Sequence, residues 1–253
     1  MARSPKTIAR KQRRETRTEA REARRTSRRA QVEPQFMNEH TQAPAKAQHK
    51  PVVPLTERQA DYEDAIAASR ITFGIGPAGT GKTYFAAMKA AEALHNREIR
   101  KIYLTRPAVE AGETLGFLPG DLDEKYEPYL RPFKDALIEF FGAGHVEYLI
   151  KNKIIEPVPL GFLRGATIKN AWLLADEMQN ATKEQMKMLL TRMGKDSKFI
   201  INGDPKQSDI SSSGLMDGVR RTVKVEGISH VEFTRQDVVR DDIVQAILEC
   251  YDE

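Results

Sequence analysis

Several residue types are scarce in this chain, and each scarcity excludes a class of protein. A single cysteine, Cys250, stands among 253 residues. No intrachain disulfide can form, and a reducing, cytoplasmic setting fits best. No Cys or His ligand set surrounds Cys250, so a plain free thiol is expected rather than a metal ligand or nucleophile. No run of about 18 apolar residues occurs, so no segment is expected to span a bilayer. The start of the chain has no apolar stretch after its basic residues, and no secretory leader is expected. There is no internal repeat. Hydrophobic residues at 40% and charged residues at 30% match an ordinary soluble protein. The length allows one good-sized globular domain with extensions.

Charge is unevenly spread. Residues 1–30 hold ten Arg and two Lys against three Glu, a net +9, while the remaining 223 residues carry 28 basic and 33 acidic groups. The basic character therefore belongs to the N-terminal arm. Residues 1–50 have few large apolar side chains, Phe36 and Met37 being nearly alone. Such a segment cannot bury enough area to offset its ordering entropy. We read it as a disordered basic arm and linker. It is either a solubilising tail or a polyanion-binding arm that releases counterions from phosphates. No aromatics interleave with its charges, so base stacking is not expected there.

From about residue 51 to 253 the pattern changes to strands alternating with helices. Strands are expected at Ile71–Ile75, Lys101–Thr105, Ile154–Val158, Ala171–Ala175, Phe199–Asn202 and Val231–Phe233. Helices are expected from Thr83 to about His95, up to about Phe141, from Thr182 to Met193, and from Asp241 to Tyr251. A Gly/Pro-rich loop opens the 107–135 stretch. This alternation implies right-handed crossovers and an α/β fold, a mostly parallel sheet with helices on both faces.

Gly76-Pro77-Ala78-Gly79-Thr80-Gly81-Lys82-Thr83 matches G-x-x-x-x-G-K-S/T between a strand and a helix, the context a phosphate loop requires. Its glycines let successive N–H groups converge on phosphate oxygens. The helix N-terminus adds its positive dipole end. Lys82 can reach the β- and γ-phosphates, and the Thr83 hydroxyl can ligate magnesium. Asp176 and Glu177 follow the apolar run Trp172–Ala175, where doubly wound sheets place their ligands. Asp176 is read as the magnesium carboxylate and Glu177 as the residue that polarises attacking water. Phe199–Asn202 leads into Gly203-Asp204-Pro205-Lys206-Gln207. A strand there would aim Asn202, Asp204 or Gln207 at the γ-phosphate. A transition-state arginine is sought among Arg106, Arg192, Arg235 and Arg240, with its source in the same or a neighbouring molecule left open.

Six stretches together resemble the PhoH-like proteins, phosphate-starvation-associated ATPases related to superfamily 1 helicases. They are LTERQADYEDAI (55–66), GPAGTGKT (76–83), TRPAVEAGETLGFLPGDLDEKYEPYLRPFKDAL (105–137), LLADEMQNATKEQMKMLLTRMG (173–194), INGDPKQSD (201–209) and DVVRDDIVQAI (237–247). The resemblance implies a RecA-like P-loop NTPase core over 51–253, with ATP and Mg2+ as ligands. It also implies homo-oligomers, often hexameric rings, and work on nucleic acid, RNA above all. It assigns Gln59 to adenine, Asp204 with Gln207 to sensing the γ-phosphate, and Arg240 to contacting phosphate. Two departures stand out. Arg164-Gly165-Ala166 replaces a frequent Arg-Gly-Arg, and Asp241 stands where His often follows Arg240. The leading expectation is an ATP-driven nucleic-acid remodeller. The alternatives are a nucleotide-dependent switch or partner-binding ATPase and a small-molecule phosphotransferase.

Overall fold

A computed structural model describes residues 52–107, 131–239 and 243–244, all within one compact unit, His49–Glu253. The basic arm, most of the 107–135 loop, Arg240 and nearly all of the expected closing helix lie outside the described residues. Six strands form one sheet: β1 (Ile71–Ile75), β2 (Lys101–Thr105), β3 (Ile155–Pro157), β4 (Ala171–Ala175), β5 (Lys198–Gly203) and β6 (Ile228–Glu232). Their order is β3-β2-β4-β5-β1-β6, and every pairing is parallel.

The strands read as near-continuous apolar runs because both faces of the sheet are covered. Ile102, Leu104, Leu174 and Ile200 face one core, with buried residues of α1 (Glu57–Ala68), α2 (Lys82–His95), α3 (Arg131–Phe141) and α4 (Ala143–Lys151). Phe73, Leu173, Phe199 and Ile201 face the other, with α5 (Lys183–Leu190) and α6 (Leu215–Thr222). The period-two alternation of side chains sends neighbours to opposite cores. The expected α/β architecture is therefore observed.

Local chemistry sets the helix starts. Thr56 caps α1 by accepting from the Gln59 N–H. Thr182 and Gln185 form a reciprocal capping box at α5, which satisfies otherwise orphaned donors. The structure also departs from the sequence expectations. Helix α5 ends at Leu190 rather than Met193, because the chain turns to form a bridge between Ile168 and Met193. Strand β6 begins at Ile228, three residues before its expected start. Helix α4 was not anticipated: Gly142, at φ 81°, breaks the chain after α3 and a new helix starts at once. Helix α6 was also unanticipated. It holds only three buried residues, Leu215, Gly218 and Val219, a weak periodic signal. Among the described residues, no helix is long and apolar enough to cross a membrane.

Candidate nucleotide site

The carboxyl ends of β1, β2, β4 and β5 open into one cleft of about 380 Å³, within the size range of small-molecule sites. The loop after β1 forms its floor. Gly79 and Gly81 both have φ 83° and Gly76 has φ 135°, a region that side chains rarely adopt. A Cβ on Gly76 would also stand 2.3 Å from the Phe233 carbonyl oxygen. The loop is tied down from several sides. The Gly76 N–H donates to Gly203 O at 3.1 Å, and the Val239 N–H donates to Gly79 O at 2.9 Å. The buried Thr80 hydroxyl donates to Pro77 O at 3.0 Å.

Lys82 opens α2 and is 8% exposed. Its ammonium donates to Gly76 O (2.8 Å), Pro77 O (2.6 Å) and the Thr80 hydroxyl (3.0 Å). It also lies 5.6 Å from the centre of the Phe233 ring. Burial pulls the Lys82 pKa below its usual value, while Asp176, Asp204 and Glu177 pull it back up. A cation in that field suits an anionic ligand.

Thr83 and Asp176 meet across the cleft, the hydroxyl donating to Oδ2 at 2.9 Å. Two adjoining hard oxygen ligands fit Mg2+, which takes few protein ligands and completes its shell with water and phosphate. No cluster of three or more His, Cys, Asp or Glu that could hold a metal occurs among the described residues. Asp176 is placed by the sheet: its N–H donates to Thr105 O of the neighbouring strand at 3.0 Å. Glu177 has φ 54° and ψ 33°, a left-handed geometry that costs a non-glycine residue roughly 1–3 kcal/mol. That turn points a half-exposed carboxylate into the cleft.

Gln179 was missed in the sequence reading. Its side chain is 1% exposed. Its amide nitrogen donates to Glu177 Oε2 at 2.6 Å and to Gln207 O at 3.5 Å, and its Oε1 accepts from the Asp204 N–H at 3.0 Å. Asn180 adds a two-way bond with Asp209, at 2.8 and 2.9 Å. The acidic turn and the 203–209 segment are thus one hydrogen-bonded unit. The available signal was the polar Gln-Asn pair inside Asp-Glu-Met-Gln-Asn, directly after a buried strand.

The remaining candidates divide. Asp204 and Gln207 line the cleft, and Asp204 caps its own turn by accepting from the Lys206 N–H. Asn202 does not face the cleft. It points to the opposite core, 1% exposed, and accepts from the Tyr62 hydroxyl at 2.6 Å. Alternation along β5 turns it there, and Tyr62 ionisation is driven far above its normal range by burial. Gln59 is 2% exposed and lies against the loop. It donates to Thr80 O at 3.0 Å and accepts from the Leu55 N–H at 2.7 Å. Among the arginines, Arg106 lines the cleft. Arg192 is tied to Met188 O and Ala166 O at the end of α5. Arg235 lies on the turn after β6 and does not line the cleft. Tyr84 and Pro132 line the cleft too and had not been singled out.

One strand, β5, separates the loop strand β1 from the acid strand β4. That order, with the phosphate loop and the acidic pair on one edge, defines a P-loop NTPase core of the RecA-like type. The chain belongs to the PhoH-like family, whose profile, described as PhoH-like protein, matches residues 51–252. It is 52% identical over 201 residues to a PhoH-like protein of Bacillus subtilis (strain 168), covering 78% of this chain and 63% of that protein. It is 48% identical over 205 residues to a PhoH-like protein of Mycobacterium tuberculosis (strain ATCC 25618 / H37Rv), covering 80% and 58%. It is 41% identical over 206 residues to Protein PhoH of Escherichia coli (strain K12), covering 79% and 58%. The chain thus spans about three fifths of the length of these curated relatives.

Proposed function

We propose that this chain binds Mg·ATP in the cleft, hydrolyses it, and couples hydrolysis to single-stranded nucleic acid, RNA foremost. The observation that carries the reading is the convergence of Lys82, Thr83, Asp176, Glu177, Asp204 and Gln207 on one cleft. The loop N–H groups and Lys82 bind the phosphates. Thr83 and Asp176 would hold magnesium, which would neutralise charge on the phosphate oxygens. Glu177 orients a water for in-line attack on the γ-phosphorus. The new P–O bond forms as the bond to the ADP oxygen breaks, and the water's proton passes toward Glu177. Asp204 and Gln207 sense the terminal phosphate, and Gln59, whose side-chain amide is bonded to Thr80 O and the Leu55 N–H, steadies the loop in place of the expected adenine contact.

The nucleic-acid half of the reading is supported by the +9 charge of residues 1–30, which would contact phosphates without reading sequence. The described residues form one RecA-like lobe, and the charge of a phosphoryl-transfer transition state is often met by an arginine of a neighbouring molecule. We therefore assign the protein to a homo-oligomer, with Arg240 of a neighbouring copy supplying the transition-state charge. A cytoplasmic setting accords with a lone cysteine.

The test is phosphate release by the full chain across ATP and GTP, with and without single-stranded RNA and DNA, beside its mass in solution. ATP hydrolysis that RNA accelerates, and that loses this acceleration on removal of residues 1–30, is expected. Glu177→Gln should retain ATP and stop turnover. Normal turnover by that variant would remove Glu177 from its role, and basal hydrolysis indifferent to nucleic acid would favour a nucleotide switch.

A further inference from the structure

Arg106 is the first residue after β2, as Asp176 is after β4. Thr105 and Ala175 are register partners in the paired strands, so the two side chains leave the sheet side by side. One guanidinium nitrogen, Nη2, donates to Asp176 Oδ2 at 2.9 Å and to Glu177 Oε1 at 3.3 Å. The same Oδ2 accepts the Thr83 hydroxyl at 2.9 Å. The Arg106 and Asp176 side chains are 15% and 6% exposed, so water screens this contact little.

Toward the acidic pair the geometry differs from a structural clamp. A clamp lays two guanidinium nitrogens on the two oxygens of one carboxylate. Here, toward the acidic pair, Nη2 straddles two carboxylates and shares an oxygen with Thr83. That is the place a small hard cation would take. A guanidinium and a divalent ion on one carboxylate oxygen repel each other in a weakly screened site, which favours one over the other.

We propose that Arg106 is an internal counter-cation for the acidic pair, and that Mg2+ enters by exchange with its guanidinium. This rests on the reading of Thr83 and Asp176 as the metal ligands. Arg106 is then a positioning residue: it holds Asp176 and Glu177 in place before metal arrives, and it sets the threshold of metal concentration for filling the site. Its backbone stays anchored beside β4, so the displaced guanidinium remains within the cleft.

The test follows Mn2+ binding to nucleotide-free protein through loss of the free-ion paramagnetic resonance signal. Arg106→Gln is expected to bind Mn2+ about tenfold more tightly than the wild type, since one competing positive charge is gone. Adding Asp176→Asn should erase that gain. Equal or weaker Mn2+ binding by Arg106→Gln overturns the exchange. A parallel titration with ATP present separates the two readings. If neither protein takes up Mn2+ even with ATP, the metal-site reading fails and the exchange falls with it. If both take it up with ATP yet match without it, only the exchange fails. Should Arg106→Gln not fold, labelling of the wild type by phenylglyoxal decides. Arg106 labelling, read by peptide mass, should rise several-fold when millimolar Mg2+ is added, and unchanged or reduced labelling refutes the exchange.

Discussion

Replacing Gln179 with leucine keeps the volume of a buried side chain and removes its hydrogen bonds. Three contacts go: to Glu177 Oε2 at 2.6 Å, to the Asp204 N–H at 3.0 Å and to Gln207 O at 3.5 Å. Their losses are unequal. The Asp204 N–H is left without its acceptor in a buried place, which costs about 1–3 kcal/mol. Glu177 is 45% exposed, so water replaces most of its lost bond and we assign that term less than about 1 kcal/mol. The Gln207 contact is long and adds little. The expected loss of stability is about 2 kcal/mol, or a melting temperature lower by roughly 4–8 °C for a domain of this size. The kinetic effect should be larger. Glu177 holds a left-handed backbone only because its surroundings fix it, and Gln179 is one of two side chains gripping its carboxylate. A carboxylate free to drift loses its hold on water in the transition state, and each ~1.4 kcal/mol lost there is tenfold in rate. We expect kcat for ATP to fall about 10–100-fold. KM should stay within about twofold, because Gln179 makes no contact with the phosphate loop. Phosphate release under steady state, with a fluorescent-nucleotide binding curve on the same samples, measures both. A folded Gln179→Leu protein with wild-type kcat, or one in which KM carries the loss, would refute this coupling.

Lys82→Ala should abolish hydrolysis and weaken nucleotide binding at least about tenfold, since the variant removes the loop's one cation; calorimetric titration with Mg·ATP reads this directly. Gly74→Ala tests the packing between β1 and α1. A Cβ there would stand 2.6 Å from Asn202 Oδ1 and 2.9 Å from Tyr62 Cε2. Overpacking and a strained buried hydrogen bond together should cost about 3 kcal/mol. Gly161→Ala, with nothing within 4 Å of its new Cβ, should change stability by under about 0.5 kcal/mol; thermal melts compare the pair. His230 stacks on Phe73 at 5.1 Å, and burial lowers its pKa from the ordinary 6.5. The unfolded chain therefore binds the extra proton more readily, and stability falls as pH drops below about 6.5. Urea midpoints of the wild type should decline more steeply across that window than those of His230→Gln, and parallel slopes would remove His230 from the account.

The phosphate loop was legible because all of its chemistry is contiguous: three glycines, a lysine and a threonine in eight residues, entered from an apolar strand. Strands β1, β2 and β4 were read to the residue, since a strand covered on both faces needs a mainly apolar run and charged or polar residues or glycine bound each one. Helices α4 and α6 were not read, because Gly142 masks the start of one and the other buries too few residues to show a period. Asn202 was misplaced for a different reason. It is polar and sits at a strand's end, but the side on which a side chain leaves a strand depends on register against its neighbours. Arg106 and Gln179 belong to the same class of fact. Their sequence distances from Asp176 are 70 and 3 residues, and neither distance says that one straddles two carboxylates while the other bridges Glu177 to Asp204. Short-range physics, the curl of a glycine loop and the burial of a strand, is written along the chain. Which distant side chains share an oxygen is decided only when parallel strands align their ends, because that alignment arises from the whole sheet.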